Sequence, residues 1–362
     1  SWHPEYVATG RMAIREPYRH MFAHEHTMTT GDRAPNFMLT DQHNEIFELY
    51  TAVMGGPIVL VFLSCQDQRN ADLLRSLSDS LPGLSACNAH LFAVCDDTVE
   101  SHSAVTMDLG LRFPLIADAD GKVSRWFLDR ARCTAPIAFI LDPNQRVVSI
   151  IHQDEKGSVG FVAKSLDVVR SIAPTGEPTC FGTMAPVLIV PNVIDRDYCQ
   201  RLIEAWETGD RHDGRVRTGV SEGTVQAVDR DFKRRVDHII EDPQLSQQLA
   251  ATMISRLGPE VYKVYYYDNW TFEKFRIGCY EANDAGCFKP HRDNYNDAVK
   301  YRRYALTLNL NAEDYEGGDL RFPEYGIDFY RPPTGGGIVF SCSLLHEVVP
   351  VTKGRRFALL SF

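Results

Sequence analysis

The chain contains no Cys-x-x-Cys pair, no apolar run long enough for a bilayer, no excess of basic side chains and no low-complexity tract. Each absence excludes a class of protein. The longest apolar stretches, near Ile58–Leu63 and Val187–Val190, fall far short of the roughly 20 residues that a membrane-crossing helix needs. No membrane partner is expected. Acidic residues number 48 against 38 basic ones, a net charge of −10, whereas a binder of phosphate backbones needs the opposite balance. Nucleic acid is therefore not an expected partner. The nine cysteines are odd in number and scattered, which argues against a disulfide scaffold and against structural zinc. A reducing, cytoplasmic location fits that usage. The opening residues Ser1-Trp-His-Pro-Glu5 lack a basic stretch followed by an apolar one, so no secretory signal is expected.

What is present is the composition of a globular chain, 44% apolar and 24% charged, with a length of 362 residues that accommodates about two domains. Residues 1–30 form a polar, histidine-bearing arm. Residues 31–173 alternate apolar strands (Ile58–Leu63, His90–Cys95, Ile137–Leu141, Val147–Ile151) with helical stretches such as Leu73–Leu81. Apolar runs separated by helices indicate an α/β sheet covered on both faces. Residues 174–184 are rich in turn formers and serve as a linker. Residues 185–362 begin with a short strand, Val187–Val190. A helix then opens near Asp195, with Cys199, Leu202, Ile203 and Trp206 at helical spacing, and a second helix covers Pro243–Leu257. From Tyr262 onward come short strand-like segments: Phe272–Tyr280, Tyr304–Leu310, Leu320–Phe322, Ile338–Phe340, His346–Val351 and Phe357–Phe362. Many short, closely spaced strands indicate a sandwich or barrel.

Chemistry concentrates in His291-Arg-Asp293 and His346. On an extended strand, residues i and i+2 point to one side, so His291 and Asp293 can aim at a common point. Two imidazoles and one carboxylate form a facial triad, the donor set of non-haem Fe(II) oxygenases, which leaves positions open for co-substrate and dioxygen. The bland alternative is a solvated turn after Pro290. In the apolar closing strand Arg355–Phe362, a buried arginine needs an anion to offset its desolvation, and Arg355 and Arg356 both compete for that role. The segment Tyr304–Asn311 has an apolar side (Tyr304, Leu306, Leu308, Leu310) and a small polar side (Ala305, Thr307, Asn309, Asn311). That division suits a barrel whose interior lines a polar pocket.

These residues carry a family resemblance. The stretch from about Pro186 to Phe362 resembles the Fe(II)/2-oxoglutarate dioxygenases of the prolyl 4-hydroxylase type, which are double-stranded β-helix (jelly-roll) enzymes with supporting helices. It does so through Gly278-Cys-Tyr280, Pro290-His-Arg-Asp293, Leu308-Asn-Leu-Asn311, Glu316–Phe322, Pro333–Phe340 and His346–Arg356, in that order. The resemblance implies Fe(II) held by His291, Asp293 and His346, and 2-oxoglutarate as co-substrate, with Arg356 on its distal carboxylate. Ascorbate is the reductant such enzymes use. Tyr280 and Asn309 are implied as further contacts to the co-substrate, and Lys353 as an exposed turn residue. The implied reaction couples oxidative decarboxylation of 2-oxoglutarate by dioxygen to hydroxylation, or a related C–H oxidation, of a small-molecule or peptidyl substrate. The retained Asp293 favours hydroxylation, since family members that halogenate lack this carboxylate. A homodimer is also compatible with the sequence.

Gly31–Phe37, the strand ending at Leu63 and Thr134–Asp142 resemble the redoxin (peroxiredoxin and thioredoxin-like) family. Pro136 is implied as its cis-proline, and Asp118 and Trp126 fall within the matching stretch. Thiol peroxidases of that family need Pro-x-x-x-Thr-x-x-Cys after the first core strand, where neighbouring groups lower the thiol pKa. Here the loop reads Ser64-Cys-Gln-Asp-Gln-Arg-Asn-Ala71, with the nucleophile's position near Ala71. The domain is expected to be degenerate. Cys65 is the thiol on which the alternative reading, a redoxin-type peroxidase, would rest, and Cys87, Cys95 and Cys133 are expected to pack as small apolar residues. A further alternative is a non-catalytic scaffold with a vestigial metal site. Three weaker features carry less weight. His20, His24 and His26 could bind metal if helical. Arg211–Arg217 and Lys233-Arg-Arg235 could meet an acidic substrate or be solvated surface. Tyr262, Tyr265, Tyr266 and Tyr267 could line the pocket mouth.

Overall fold

The computed structural model describes residues 27–362, apart from 54, 66, 68–69, 155–156, 173–176, 215 and 219–224. The chain divides into two compact units, the first ending at Glu177 and the second beginning at Pro178. Among the described residues, no helix is long and apolar enough to cross a membrane.

The first unit is a seven-stranded mixed sheet of thioredoxin-like architecture. Across the sheet the strands run Ile46–Glu48, Met38–Asp41, Leu115–Ala117, His90–Cys95, Ile58–Phe62, Ile137–Leu141 and Val147–His152. His90–Cys95 runs parallel to both Ile58–Phe62 and Leu115–Ala117. The strand Ile58–Phe62 is buried throughout because alternate side chains enter different cores. Val59 and Val61 pack with Leu73, Leu77 and Phe161, while Ile58, Leu60 and Phe62 pack with Val123 and Phe127. Period-two alternation inside a continuous apolar run thus attaches helices to both faces. Asp118 is fully buried, and its carboxylate accepts from the amides of Val123 and Ser124 at the start of helix Lys122–Ala131. Trp126 in that helix lies under the Arg130 guanidinium. The Ala135–Pro136 bond is cis.

The second unit is a jelly roll of two sheets. The larger has the order Leu188–Val190, Gly337–Ser341, Tyr304–Asn309, Arg355–Ser361, Arg276–Glu281, Val236–Ile239 and His212–Asp213. The smaller has the order Lys233–Arg234, Cys287–His291, His346–Val348, Leu320–Arg321 and Phe329–Tyr330. Helices Arg196–Thr208 and Pro243–Tyr265 cover the outer face of the larger sheet, with Trp206, Leu249, Met253 and Leu257 packed on Ile277, Leu306, Leu308 and Leu359. Asp195 caps the first of these helices by accepting from the Tyr198 amide at 2.6 Å. The second helix runs eight residues beyond the expected end and carries Pro259 inside it. Tyr262 and Tyr265 are therefore helical rather than strand residues. Tyr262 stacks on Tyr266, and Tyr265 and Tyr267 pack against Tyr304.

Candidate active site

The smaller sheet brings the two histidines together directly. Cys287–His291 and His346–Val348 pair antiparallel, with His291 opposite His346. The strand stops at His291, so Asp293 does not share it, contrary to the expectation of a common extended segment. Asp293 instead follows in the turn, where its amide donates to the Cys342 carbonyl at 3.0 Å. Even so, its two carboxylate oxygens lie 3.6 Å from His291 Nε2 and 3.3 Å from His346 Nε2. One donor atom from each residue falls within 4.8 Å of the other two.

The remaining ring nitrogens set the tautomers. His291 Nδ1 donates to the Lys289 carbonyl at 2.7 Å, and His346 Nδ1 donates to the Leu344 carbonyl at 3.0 Å. Both Nε2 lone pairs therefore face Asp293, which is the outer-partner arrangement of metal-bound imidazoles. Burial pushes His346 down to about 4, so it is neutral at pH 7. Burial alone would raise the Asp293 carboxyl, but the adjacent His291 and His346 outweigh that and hold it below the ordinary range. Ligands about 2.1 Å from a central ion sit about 3 Å apart at cis positions, so this nitrogen, nitrogen and oxygen set fits a divalent cation such as Fe(II).

The donors open into a cavity of about 840 Å³ between the sheets. Arg356 lines it and is 3% exposed. Its Nε and Nη1 are buried without a hydrogen-bond partner among the described residues, and Nη2 reaches only Asn309 Oδ1 at 3.5 Å. Thr307 Oγ1, also in the cavity wall, is similarly unpartnered. An unpaired buried guanidinium costs several kcal/mol, and a carboxylate entering the cavity would relieve it by a bidentate pair. Arg355, the competing candidate, is exposed and paired with Glu207 at 2.9 Å outside the cavity lining. Adjacent residues on a strand point to opposite faces, and that separates the two arginines. Gly318, with φ +65°, leaves room for Arg356, since a Cβ there would lie 3.2 Å from Arg356 Cδ and 2.7 Å from Val351 Cγ2.

Tyr280 is opposite Arg356 in the larger sheet. It lines the cavity, and its hydroxyl accepts from Arg235 Nη1 at 3.2 Å. Asn309 is buried, but its side-chain amide donates to the Pro332 carbonyl at 2.8 Å, and it lies behind Arg356 rather than in the lining. Lys353 is an exposed residue paired with Glu316.

Asp237, Glu273 and Arg302 line the cavity without having been singled out by the sequence, whereas Lys233-Arg-Arg235 carried two alternatives there. Lys233 and Arg235 are 4% and 7% exposed and line the cavity, so they are not solvated surface. Burial, reinforced by Arg235, pushes Lys233 down to about 7. Arg235 forms a bidentate pair with Asp237, and it fits because position 278 is glycine, where a Cβ would come within 2.7 Å of Arg235 Cδ. Arg302 clamps Glu273 through two contacts of 2.6 and 2.7 Å and reaches the Asp293 carbonyl at 3.4 Å. Alternation along Val236–Ile239 and its neighbours was the available signal for Asp237, but the run of charges masked it. Tyr262, Tyr265, Tyr266 and Tyr267 do not line this cavity; Tyr267 borders a second, smaller one. His20, His24 and His26 lie outside the described residues, as do parts of Arg211–Arg217.

In the first unit, Ala71 opens helix Ala71–Asp79 where a peroxidase would carry its thiol. Cys65 and Cys95 are joined in a disulfide, which corrects the expectation that Cys95 merely packs. Cys65 follows the strand Ile58–Phe62 and Cys95 ends its parallel neighbour, and that adjacency is invisible in a sequence separation of 30.

Comparison with known proteins supports both halves of this description. Residues 30–150 match the AhpC/TSA family, and residues 275–362 match the 2OG-Fe(II) oxygenase superfamily. A PKHD-type hydroxylase of Pseudomonas fluorescens is 28% identical over 184 residues, 48% of this chain and 75% of that protein. Procollagen-lysine,2-oxoglutarate 5-dioxygenase 1 of Mus musculus is 26% identical over 174 residues, and the match spans only 22% of its length. Among solved structures, peroxidoxin BcpB of Mycobacterium tuberculosis aligns with 40% of this chain and 98% of its own, at 22% identity and a TM-score of 0.36. The chain thus carries an AhpC/TSA-family redoxin domain at its N-terminal end and a 2OG-Fe(II) oxygenase-superfamily domain at its C-terminal end.

Proposed function

We propose that the C-terminal unit is an iron- and 2-oxoglutarate-dependent hydroxylase in which His291, Asp293 and His346 hold Fe(II) and Arg356 binds the distal carboxylate of 2-oxoglutarate. The observation that carries this reading is the pairing, in one cavity, of a three-donor cluster with a buried guanidinium that lacks an anion. Bound Fe(II) supplies the oxygen activation and the decarboxylation of 2-oxoglutarate to succinate and carbon dioxide. The protein's contribution is position and exclusion of water. The Lys289 and Leu344 carbonyls fix both imidazole tautomers, and Arg302 braces the Asp293 backbone. Arg356 sets the orientation of the co-substrate, and Thr307 Oγ1 offers it a second hydrogen bond. Tyr280, held by Arg235, forms the wall beside Arg356. The substrate, a small molecule or a peptidyl side chain, takes the rest of the same cavity, whose wall Lys233, Glu273 and Arg302 share with apolar side chains such as Phe288 and Phe340. Ascorbate serves as the reductant that restores Fe(II) after unproductive turnover.

The test is succinate formation by the purified chain supplied with Fe(II), 2-oxoglutarate and ascorbate, with and without a panel of candidate substrates. Slow substrate-free release of succinate that is lost in His346→Ala supports the reading. Absence of succinate from an iron-loaded, folded chain under every condition would overturn it.

A further inference from the structure

The C-terminal ends of neighbouring parallel strands are where α/β sheets gather ligands, and in the first unit Ile58–Phe62 and His90–Cys95 are such neighbours. Cys65 follows the first strand and Cys95 ends the second, with their Cα atoms 6.0 Å apart. The helix Val99–Leu109 then returns His102 to the same point. One ring nitrogen of His102 and the two sulfurs all lie within 4.8 Å of one another, and all three residues are buried. His102 is 0% exposed, and neither of its ring nitrogens has a hydrogen-bond partner of good geometry among the described residues. Its polar neighbours are the Leu115 backbone and the carboxylates of Asp96 and Asp97. Asp97 Oδ2 is itself buried and unpartnered. An imidazole desolvated without a partner costs stability, so its retention beside two sulfurs and an acidic side chain points to a ligand.

We propose that reduction of the Cys65–Cys95 disulfide turns Cys65, Cys95 and His102 into a binding site for a zinc-class divalent cation, with Asp97 beside the open fourth position. Two thiolates and one imidazole are a recurrent donor set for such ions, and Zn–S and Zn–N bonds of about 2.3 and 2.1 Å put the donors about 3.5–3.8 Å apart. That spacing lies within the separations seen here once the sulfurs are released from each other. A dithiol reductant delivers two electrons and two protons to open the S–S bond, and is itself oxidised to a disulfide. Each thiol then gives up its proton as it binds the cation, so one cation is taken up and two protons are released to solvent. In the oxidised form both sulfurs are committed to each other and no thiolate is on offer. The site is thereby gated by redox state, and it stands independently of the oxygenase reading.

Cobalt(II) is the probe, because thiolate ligation to it produces an intense near-ultraviolet charge-transfer absorption that the sulfur-free His291, Asp293 and His346 cluster cannot give. The full chain, either reduced and desalted anaerobically or left oxidised, is titrated with cobalt(II) alone. The reduced chain is expected to develop the absorption to saturation at one sulfur-bound equivalent, zinc to bleach it, and the oxidised chain to stay silent. The seven remaining thiols are free in both forms, so the contrast isolates the pair even if no variant folds. Cys95→Ser should abolish the signal, His102→Ala should weaken binding at least tenfold, and Cys87→Ser should change nothing. No absorption in the reduced chain, equal absorption in the oxidised chain, or full absorption in Cys95→Ser would each overturn the proposal.

Discussion

In the jelly-roll unit, the ends of two paired strands deliver His291 and His346 to one carboxylate, and the cavity behind them holds a cation lacking its anion. In the thioredoxin-like unit, the corresponding sheet end has Ala71 where a peroxidatic thiol would stand, and its nearest thiol is tied to Cys95. Yet the sheet of the first unit keeps a fully buried core, with Ile58, Leu60, Val61 and Phe139 all inaccessible to solvent. A fold survives on apolar alternation and volume, whereas a reaction survives on a few polar atoms at set distances. Packing can therefore persist after the chemistry that once used it has been rearranged. In this chain the groups gathered near that sheet end are Cys65, Cys95 and His102.

If the chemistry resides in the second unit, its variants should show effects that those of the first do not. The largest is expected for Asp293→Ala, which removes a direct donor. Substrate-free succinate release should fall more than about 100-fold, beyond the 10–100-fold that loss of an outer partner costs. Arg356→Ala should raise the KM for 2-oxoglutarate at least about 30-fold, since truncating one partner of a buried charge pair costs about 2 kcal/mol or more. Arg355→Ala removes only a surface pair with Glu207 and should stay within about twofold. Equal effects from the two arginines would break the assignment of inside and outside faces.

Acid sharpens the comparison in a different way. His346 sits near pKa 4 in the fold, against 6.5 in an open chain, so the unfolded state binds the extra proton first as pH falls. The penalty is absent above pH 6.5 and grows toward pH 4. Asp293, held below its ordinary value, acts in the same direction at lower pH still. The chelated second unit should lose on the order of 1–3 kcal/mol between pH 6.5 and 4, measured by denaturant unfolding, and His346→Gln should flatten that slope. The smallest effect is expected for Cys65→Ser, with succinate release within about twofold of the parent. A large loss there would show that the two units share one reaction.

How much of this was legible in the sequence depended on the range of the interaction. Residues Tyr304–Asn309 declared their faces through local alternation, and Ala305 and Thr307 do line the cavity. The triad was readable because His-x-Asp and a distant histidine are rare in such company, although the turn after His291 was not. Arg355 and Arg356 were indistinguishable because the strand that follows them is apolar on both faces, and only the register against Tyr280 and Glu281 separates them. For Lys233 and Arg235 the sequence supports both an acidic partner and solvated surface, because clustered charge is usually solvated. Their burial rests on Asp237 and on the absence of a side chain at Gly278, which are pairings made by the sheet. The Cys65–Cys95 bond depends on which strands are neighbours, a property that no local pattern encodes.

The central claim is that His291, Asp293 and His346 present one ion to a co-substrate anchored by Arg356. Its most direct test is an anaerobic titration of the Fe(II)-loaded chain with 2-oxoglutarate, read by the iron-to-2-oxoglutarate charge-transfer absorption. The account predicts saturation at one equivalent, a weakened approach to saturation in Arg356→Ala, and no band in Asp293→Ala. A chain that binds iron at these residues yet shows no such band at any 2-oxoglutarate concentration would contradict it.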